Sequence, residues 1–575
     1  MDSRQHYTCS QFSLPSFLIV AGLTVALAAC GGGGGGGGSG SGVSSSGAGS
    51  SGSGSSGGSG GSSSGSGSGS SSGGSGSSGG GGTASSCTVT TTQVSCTPWI
   101  WEGGSDTLDN FGVYGAQGTA AAGNIPGARQ QPVSWTDSSG NLWLFGGLGQ
   151  DHTVADAAGL LNDLWRYDPT SGQWTWVNGS NTTNPTGVYG QQGTPAATNE
   201  PTPRYQAVSW IDPEGNFWLF GGLAQNDSTV LVPFDKLLND LWQYDPTSNE
   251  WTWVSGSSTF NSQGVYGTQG TPAATNVPPP RLGSSTWTDA GGNLWLFGGT
   301  GFDATVYENV GQYNDLWKYN PTSQEWTWVG GQSPSTDPQL NGFYAGMDYQ
   351  GVYGTQGVAA STSFPGSREL ANAWVDSAGN FWLFGGDGYD KSRDYGLLND
   401  LWEYNPTTNQ WTWVNGSSTV NPVGVYGTQG VPAESNMPGA RTGAAIWTDK
   451  SGNVWLFGGG GLDGSGGKGE LSDLWEYSPS TNQWTWVGGP KAANTVGTYG
   501  SLGVAATGNI PGGRLGSVSW TDASGNHWLF GGYGLDDGNT SELVSEQYLN
   551  FTALKISVLY SRLHLQHEVT DECAC

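Results

Sequence analysis

Short apolar runs, broken by clusters of Gly, Pro, Asn, Asp and Ser, alternate along most of this chain, and the same runs return at regular spacing. The segment NLWLFGG that ends at Gly147 recurs with at most one change, ending at Gly222, Gly299, Gly386, Gly459 and Gly532, at intervals of 75, 77, 87, 73 and 73 residues. Leu-Trp-x-Tyr ends at Tyr167, Tyr244, Tyr319, Tyr404 and Tyr477, and each Tyr is followed seven residues later by a Trp, from Trp174 to Trp484. A third signature, GVYGTQG or a near copy, begins at Gly112, Gly187, Gly264, Gly351, Gly424 and Gly497. Self-similarity at such a period marks a repeat architecture, in which one supersecondary unit buries its apolar face only against its neighbours.

Each unit predicts four strands. The first, typified by residues 131–136, ends in an Asp-x-x-Gly-Asn turn (Asp137, Gly140, Asn141). The second, 142–145, is apolar at every position, as a strand covered on both faces is. It is expected to stop at the Gly pair, where a neighbouring backbone comes close. The third, 163–167, runs into a Pro-Thr-Ser-Gly turn, and the fourth, 174–177, alternates Trp-Thr-Trp with period two. Four-stranded units repeated around a circle form a β-propeller, which leaves few open sheet edges.

The Gly-Gly after an apolar strand, then the Tyr, then the Trp at fixed spacing resemble Kelch repeats. The resemblance covers about residues 97–550 and implies an all-β, six-bladed Kelch-type β-propeller with four-stranded blades. These units exceed 70 residues, longer than the roughly 50 of a Kelch repeat. The excess is the GVYGTQG-bearing connection between one fourth strand and the next first strand. Pro98 to Gly103 has the form of a fourth strand with no third strand of its own, and the last unit, 514–532, supplies a first and a second. Joined, they predict one composite blade that closes the circle, its third strand beginning near Tyr548-Leu549-Asn550, matched to Leu238-Asn239. Residues 551–575 contain no Gly, Pro or Trp and read as an atypical tail in place of the expected DLWxYxP continuation. A shifted reading frame is one hypothesis for it.

The ends of the chain are read differently. Leu14 to Ala29 form an uncharged, mostly apolar run of sixteen residues that ends in Leu-Ala-Ala-Cys. That length suits a signal-peptide core rather than a membrane span. The ending resembles the lipobox of bacterial lipoproteins, which implies a signal peptide over 1–30 and lipidation of Cys30; an ordinary secretory signal is the alternative. Gly31 after the Cys favours the outer membrane by the same resemblance, with the body facing the periplasm or the cell surface. Gly and Ser make up 52 of the 56 residues in 31–86, a flexible tether whose ends lie roughly 40 Å apart. Cys87 and Cys96 bracket eight residues and suggest a small disulfide hairpin over 87–96.

Composition narrows the chemistry. Lys and Arg number 17 against 45 Asp and Glu, a formal net charge of −28, which excludes a phosphate-gripping nucleic-acid binder. With 102 Gly, 29 Trp and only 11% charged residues, helical bundles fit poorly. Resemblance to galactose oxidase would require copper ligands, but residues 97–550 contain no Cys and their only His are His152 and His527. His527 takes the position of Leu142 and reads as a strand residue. His564, His567, Cys573 and Cys575 match no zinc spacing, and Asp227, Asp303, Asp387, Asp390 and Asp394 show no recognised calcium pattern. No cofactor and no metal are expected.

A propeller sugar mutarotase is another imaginable relative, but no acid–base pair stands out from the repeat. Arg129, Arg204, Arg281, Arg368, Arg441 and Arg514 open the first strand of every unit. Placed on innermost strands, they would surround the mouth of the axial channel and suit a carboxylate, sulfate or phosphate. The arrangement resembles the Kelch domain of a ubiquitin-ligase adaptor that grips an acidic peptide. Alternatively each pairs with a repeat Asp such as Asp163 or Asp240, or with carbonyls of the next blade. The recurring Trp143, Trp165 and Trp174 read as core, and the variable loops, 148–159 among them, as the seat of specificity. The resulting expectation is a monomeric, non-catalytic receptor for an extracellular or envelope protein or glycan, membrane-attached through its lipid only. A carbohydrate-active, mutarotase-like enzyme is the alternative.

Overall fold

A computed structural model describes residues 99–105, 109–153, 158–224, 236–302, 310–333, 348–535, 541–543 and 548–552. Cys30, Cys87 and Cys96, the Gly/Ser stretch, residues 553–575, and Asp227 and Asp303 lie outside them.

The described body is all β. Its strands form six principal antiparallel sheets, numbered here one to six along the chain. Sheet one runs from Arg129–Gln130 and Val133–Thr136 through Leu142–Gly149 and Gly159–Asp168 to Gln173–Asn178. Sheets two to five repeat this order from Arg204, Arg281, Arg368 and Arg441, except that in units two and three, as in unit six, the Arg-bearing strand and the strand after the Gly pair form a small separate sheet, counted here with its unit. Sheet six is composite, with Ile100–Gly103 paired to Tyr548–Thr552, which pairs to Asn526–Phe530, which pairs to Val518–Thr521. An N-terminal strand therefore closes the last blade of the propeller. Here the register differs from expectation. Asn550 lies opposite Trp528, the position of Gln243 opposite Trp218, four residues beyond the match to Asn239. Without the Asp-Leu-Trp-x-Tyr segment, sequence likeness to the other third strands no longer sets the register.

In sheets two, three and six the second strand stops at the Gly pair and a separate short strand follows, but in sheets one, four and five it runs on past the pair. In sheet one the ladder shifts between Phe145 and Gly147 and then resumes to Gly149, a β-bulge. Gly146 and Gly147 take φ of 67° and 97°. A Cβ on Gly147 would lie 2.8 Å from the Gln130 carbonyl oxygen, and one on Gly146 3.0 Å from that of Arg204 in the next sheet. Glycine is required twice over, by conformation and by the approach of a neighbouring blade.

Successive sheets interlock through aromatic side chains. Trp174 is 1% exposed and meets Phe530 of sheet six, while Phe145 meets Trp251 of sheet two. Trp143 and Trp165 are also buried, so these Trp are core, not platforms. The first strands meet one another around the axis. The Gln131 amide donates to the Gly516 carbonyl (2.8 Å), Gln206 to Gln131 (3.2 Å), Gly283 to Gln206 (2.9 Å), Leu370 to Gly283 (2.7 Å), Gly443 to Leu370 (3.1 Å) and Gly516 to Gly443 (2.9 Å). The six bonds form a closed cycle. Towards the tight turns, the channel holds a cavity of about 320 Å³ lined largely by hydroxyl side chains, including Ser134, Thr136, Ser209, Thr288 and Ser519.

The long connections also have a place. Gly118 and Ala121 donate backbone hydrogen bonds to Trp176 and Trp174 of the outermost strand in sheet one, and the pattern recurs with Gly193, Ala196 and sheet two. The extra residues of each unit thus cover an outer edge that would otherwise be open.

Candidate functional site

The repeated residues converge on a buried hub. Asp163 accepts from both terminal guanidinium nitrogens of Arg129 (2.7 and 2.8 Å), from the Tyr114 hydroxyl (2.6 Å) and from the Trp165 indole (2.7 Å). Arg129 also donates to the carbonyls of Gly127 and Gly146. Asp240, Asp315, Asp400 and Asp473 organise identical hubs around Arg204, Arg281, Arg368 and Arg441. The Tyr of GVYG, the Asp and Trp of DLW, and the strand-opening Arg are therefore one hydrogen-bonded assembly.

This corrects the reading of the arginines as ligand contacts. Arg129, Arg204, Arg281, Arg368, Arg441 and Arg514 are at most 1% exposed and lie within the wall, not around the channel mouth. A charge so buried persists only when paired and hydrogen-bonded. In five sheets burial opposes the guanidinium charge, but the facing aspartate outweighs it and raises the pKa. Arg514 meets the Gly512 and Gly531 carbonyls and the Tyr499 hydroxyl, and there burial lowers the pKa.

The residues that distinguish one blade from another are found one position further along. Glu369 follows Arg368 and pairs across the ladder with Asp387. The same two positions hold Gln130 and Leu148 in sheet one, Tyr205 and Leu223 in sheet two, and Leu515 and Tyr533 in sheet six. Opposed residues in antiparallel strands have Cβ atoms about 4.5–5.5 Å apart, so two carboxyls share one small space. Burial, then the Asp387 charge, pushes Glu369 up to about 7. Burial raises Asp387 to about 6, against the pull of the Tyr395 hydroxyl and Lys468. Tyr395 donates to Asp387 at 2.9 Å and is 37% exposed, so it links the buried acid to solvent. Tyr205, raised to about 12 by burial and by the Glu369 charge, faces the pair from sheet two. Gly283 lies beneath: a Cβ there would meet Glu369 Oε2 at 3.4 Å.

Two carboxyls held near neutrality, one keeping its proton while the other has lost it, are suited to general acid–base chemistry. Sequence reading missed this pair because it sought residues that repeat, whereas a column-by-column comparison of the six units isolates Glu369. Asp387 entered only as a possible calcium ligand, with Asp390 and Asp394. Asp390 instead accepts from the backbone of Ser392, Asp394 and Val420, and no cluster of three metal-ligating side chains occurs among the described residues. His527 is a buried strand residue opposite Thr521, beside Trp447 and Trp455. His152, near the surface, bonds to the Asn181 carbonyl.

Comparison with known proteins agrees with the strand pattern. A family model described as the KLHDC2/KLHL20/DRC7 Kelch-repeats domain matches residues 116–345. The N-acetylneuraminate epimerase of Yersinia enterocolitica is 26% identical over 267 residues, which cover 44% of this chain and 59% of that protein. An N-acetylneuraminate epimerase of Escherichia coli O139:H28 and the N-acetylneuraminate epimerase 2 of Escherichia coli O6:H1 are each 27% identical over 177 residues, 28% of this chain and 44% of theirs. The chain thus spans less than two thirds of the length of these relatives. Because they are named as enzymes, they overturn the expectation of a non-catalytic protein. The sheet order, the bulged Gly pairs and the match over residues 116–345 make this chain a Kelch-type β-propeller.

Proposed function

We propose that this propeller is a carbohydrate-active enzyme that epimerises a sugar of the N-acetylneuraminate kind, with Glu369 and Asp387 as its acid and base. The observation that carries the reading is the cross-strand carboxyl pair, found at this position in one sheet and poised at about 7 and about 6. The likeness to epimerases supplies the substrate class. In a cyclic sugar with a free anomeric hydroxyl, Asp387 as carboxylate removes that hydroxyl proton while Glu369 delivers one to the ring oxygen. The ring C–O bond breaks, the carbonyl forms, and rotation before reclosure inverts the anomeric centre. The two protons return by the reverse steps, so no oxidant and no net proton are consumed. The test is time-resolved proton NMR of freshly dissolved N-acetylneuraminate. Approach to anomeric equilibrium faster than in buffer is expected, and an unaltered rate at micromolar protein would overturn the reading.

We also propose that Cys30 is lipidated and that 31–86 tether the propeller to a bacterial outer membrane. The Leu-Ala-Ala-Cys ending and the Gly/Ser composition support this. Cys30→Ala is expected to move the protein from the membrane fraction to the soluble one; a variant that stays with the membrane overturns the anchor.

A further inference from the structure

Sheet three differs from sheets one and two in one further respect. In sheets one and two the ladder positions just beyond the Gly pair are filled by Leu148 with Leu160, and Leu223 with Leu237. In sheet three the same two positions hold Thr300 and Gln312, directly opposed. Both are more than nine-tenths buried, at 7% and 4% exposure. The Thr300 Oγ1 and the Gln312 Oε1 have no hydrogen-bond partner among the described residues. The Thr300 hydroxyl stands beside the Glu369 carboxyl and draws its pKa down, although the two fall short of hydrogen-bond geometry.

Two opposed polar side chains left unsatisfied in a layer where sheets one and two place leucine are costly to the fold. Apolar residues fit the same strand positions in sheets one and two, so the strand does not need them. We propose that Thr300 and Gln312 form the ligand-anchoring side of the Glu369 site, accepting hydrogen bonds from a neutral O–H or amide N–H of the bound sugar. The inference rests on the proposed carbohydrate reading and adds to it residues that determine affinity and specificity without moving a proton. A neutral donor is the chemistry that fits, because a ligand carboxylate at this edge would face Glu369 and Asp387 and the two acceptor oxygens. The acidic group of a sugar such as N-acetylneuraminate must therefore point away, and an acylamino or hydroxyl substituent must point in.

The experiment uses the full-length chain and its Thr300→Val/Gln312→Leu variant. Titration calorimetry with N-acetylneuraminate and with N-acetylglucosamine measures affinity, and NMR anomerisation measures KM and kcat separately. The variant is expected to melt no lower than the parent, since it removes unsatisfied polar groups, while binding weakens at least 10-fold, KM rises by a larger factor than kcat changes, and the alkaline limb of the pH profile moves up because Thr300 no longer lowers Glu369. A parent that binds sugar and a variant that binds it equally well overturns the inference but leaves the epimerase reading standing. A parent that binds sugar through Thr300 and Gln312 yet shows no anomerisation overturns the enzyme reading and leaves the anchor. Absence of any sugar binding by a cooperatively folded parent overturns both.

Discussion

Glu369→Gln is expected to lower the rate of sugar epimerisation by about 100-fold or more, the usual worth of a positioned general acid, with the propeller intact. Asp387→Asn is expected to do the same by removing the base. The two effects should not add, because a single proton-transfer pair is broken by either change. The pH dependence supplies a sharper check. Activity should rise as pH passes about 6, where Asp387 loses its proton, and fall as it passes about 7, where Glu369 loses the proton it must donate. A rate that climbs monotonically to pH 9 excludes Glu369 as the acid. Stability must move in the opposite sense to that of a salt-bridged carboxylate. Both groups are raised above their ordinary values, so the native state holds more protons than the unfolded chain. Their contribution is present below pH 4 and is lost as pH rises through about 6 and 7. Glu369→Gln should consequently gain stability over the parent at pH 8, an advantage that vanishes near pH 4. Paired urea titrations at the two pH values give the comparison.

The second large effect is structural. Asp315→Asn leaves the Arg281 guanidinium buried without its counter-charge while keeping the shape of the acceptor, and it should cost about 3–5 kcal/mol. The same carboxylate also accepts from Tyr266 and Trp317, so the loss should not be spread evenly between probes: near-ultraviolet signals of sheet three should fade first. Replacing Arg281 and Asp315 together by Met and Leu should cost less than the sum of the single changes, because no lone charge remains. If Asp315→Asn unfolds at the parental urea concentration, the hubs do not hold the blades and the arginines must be sought elsewhere in the chemistry. Sugar binding should be unchanged in any hub variant that still folds.

What could be read from the letters depended on whether a residue obeyed the repeat. Tyr114, Arg129, Asp163 and Trp165 recur in near-fixed register, and the propeller followed from them. The sequence equally allows Arg129 to pair with Asp163. The choice needs burial, since spacing alone does not say whether a guanidinium faces a channel or a wall. The Gly pair misled in a different way: Gly146 and Gly147 looked like an end because sequence shows their permissive backbone but not the ladder that resumes at Leu148. Glu369 was passed over because it breaks the pattern by one residue, next to an arginine that keeps it. In sheet six the letters ceased to help, and only backbone pairing shows Tyr548–Thr552 between two strands.

That last sheet carries a kinetic consequence. Among the described strands, Ile100–Gly103 is the first to leave the ribosome, and its partner, Tyr548–Thr552, is the last. For the whole span between them the nascent chain carries an edge strand with nothing to pair with, although the six-amide cycle is complete once Gly516 has emerged. Contacts so distant in sequence form slowly, and an open strand invites association with other chains. A chain stopped a few residues before Tyr548 should therefore accumulate as an aggregation-prone, protease-sensitive form with Ile100–Gly103 unpaired, however well its first five blades are packed.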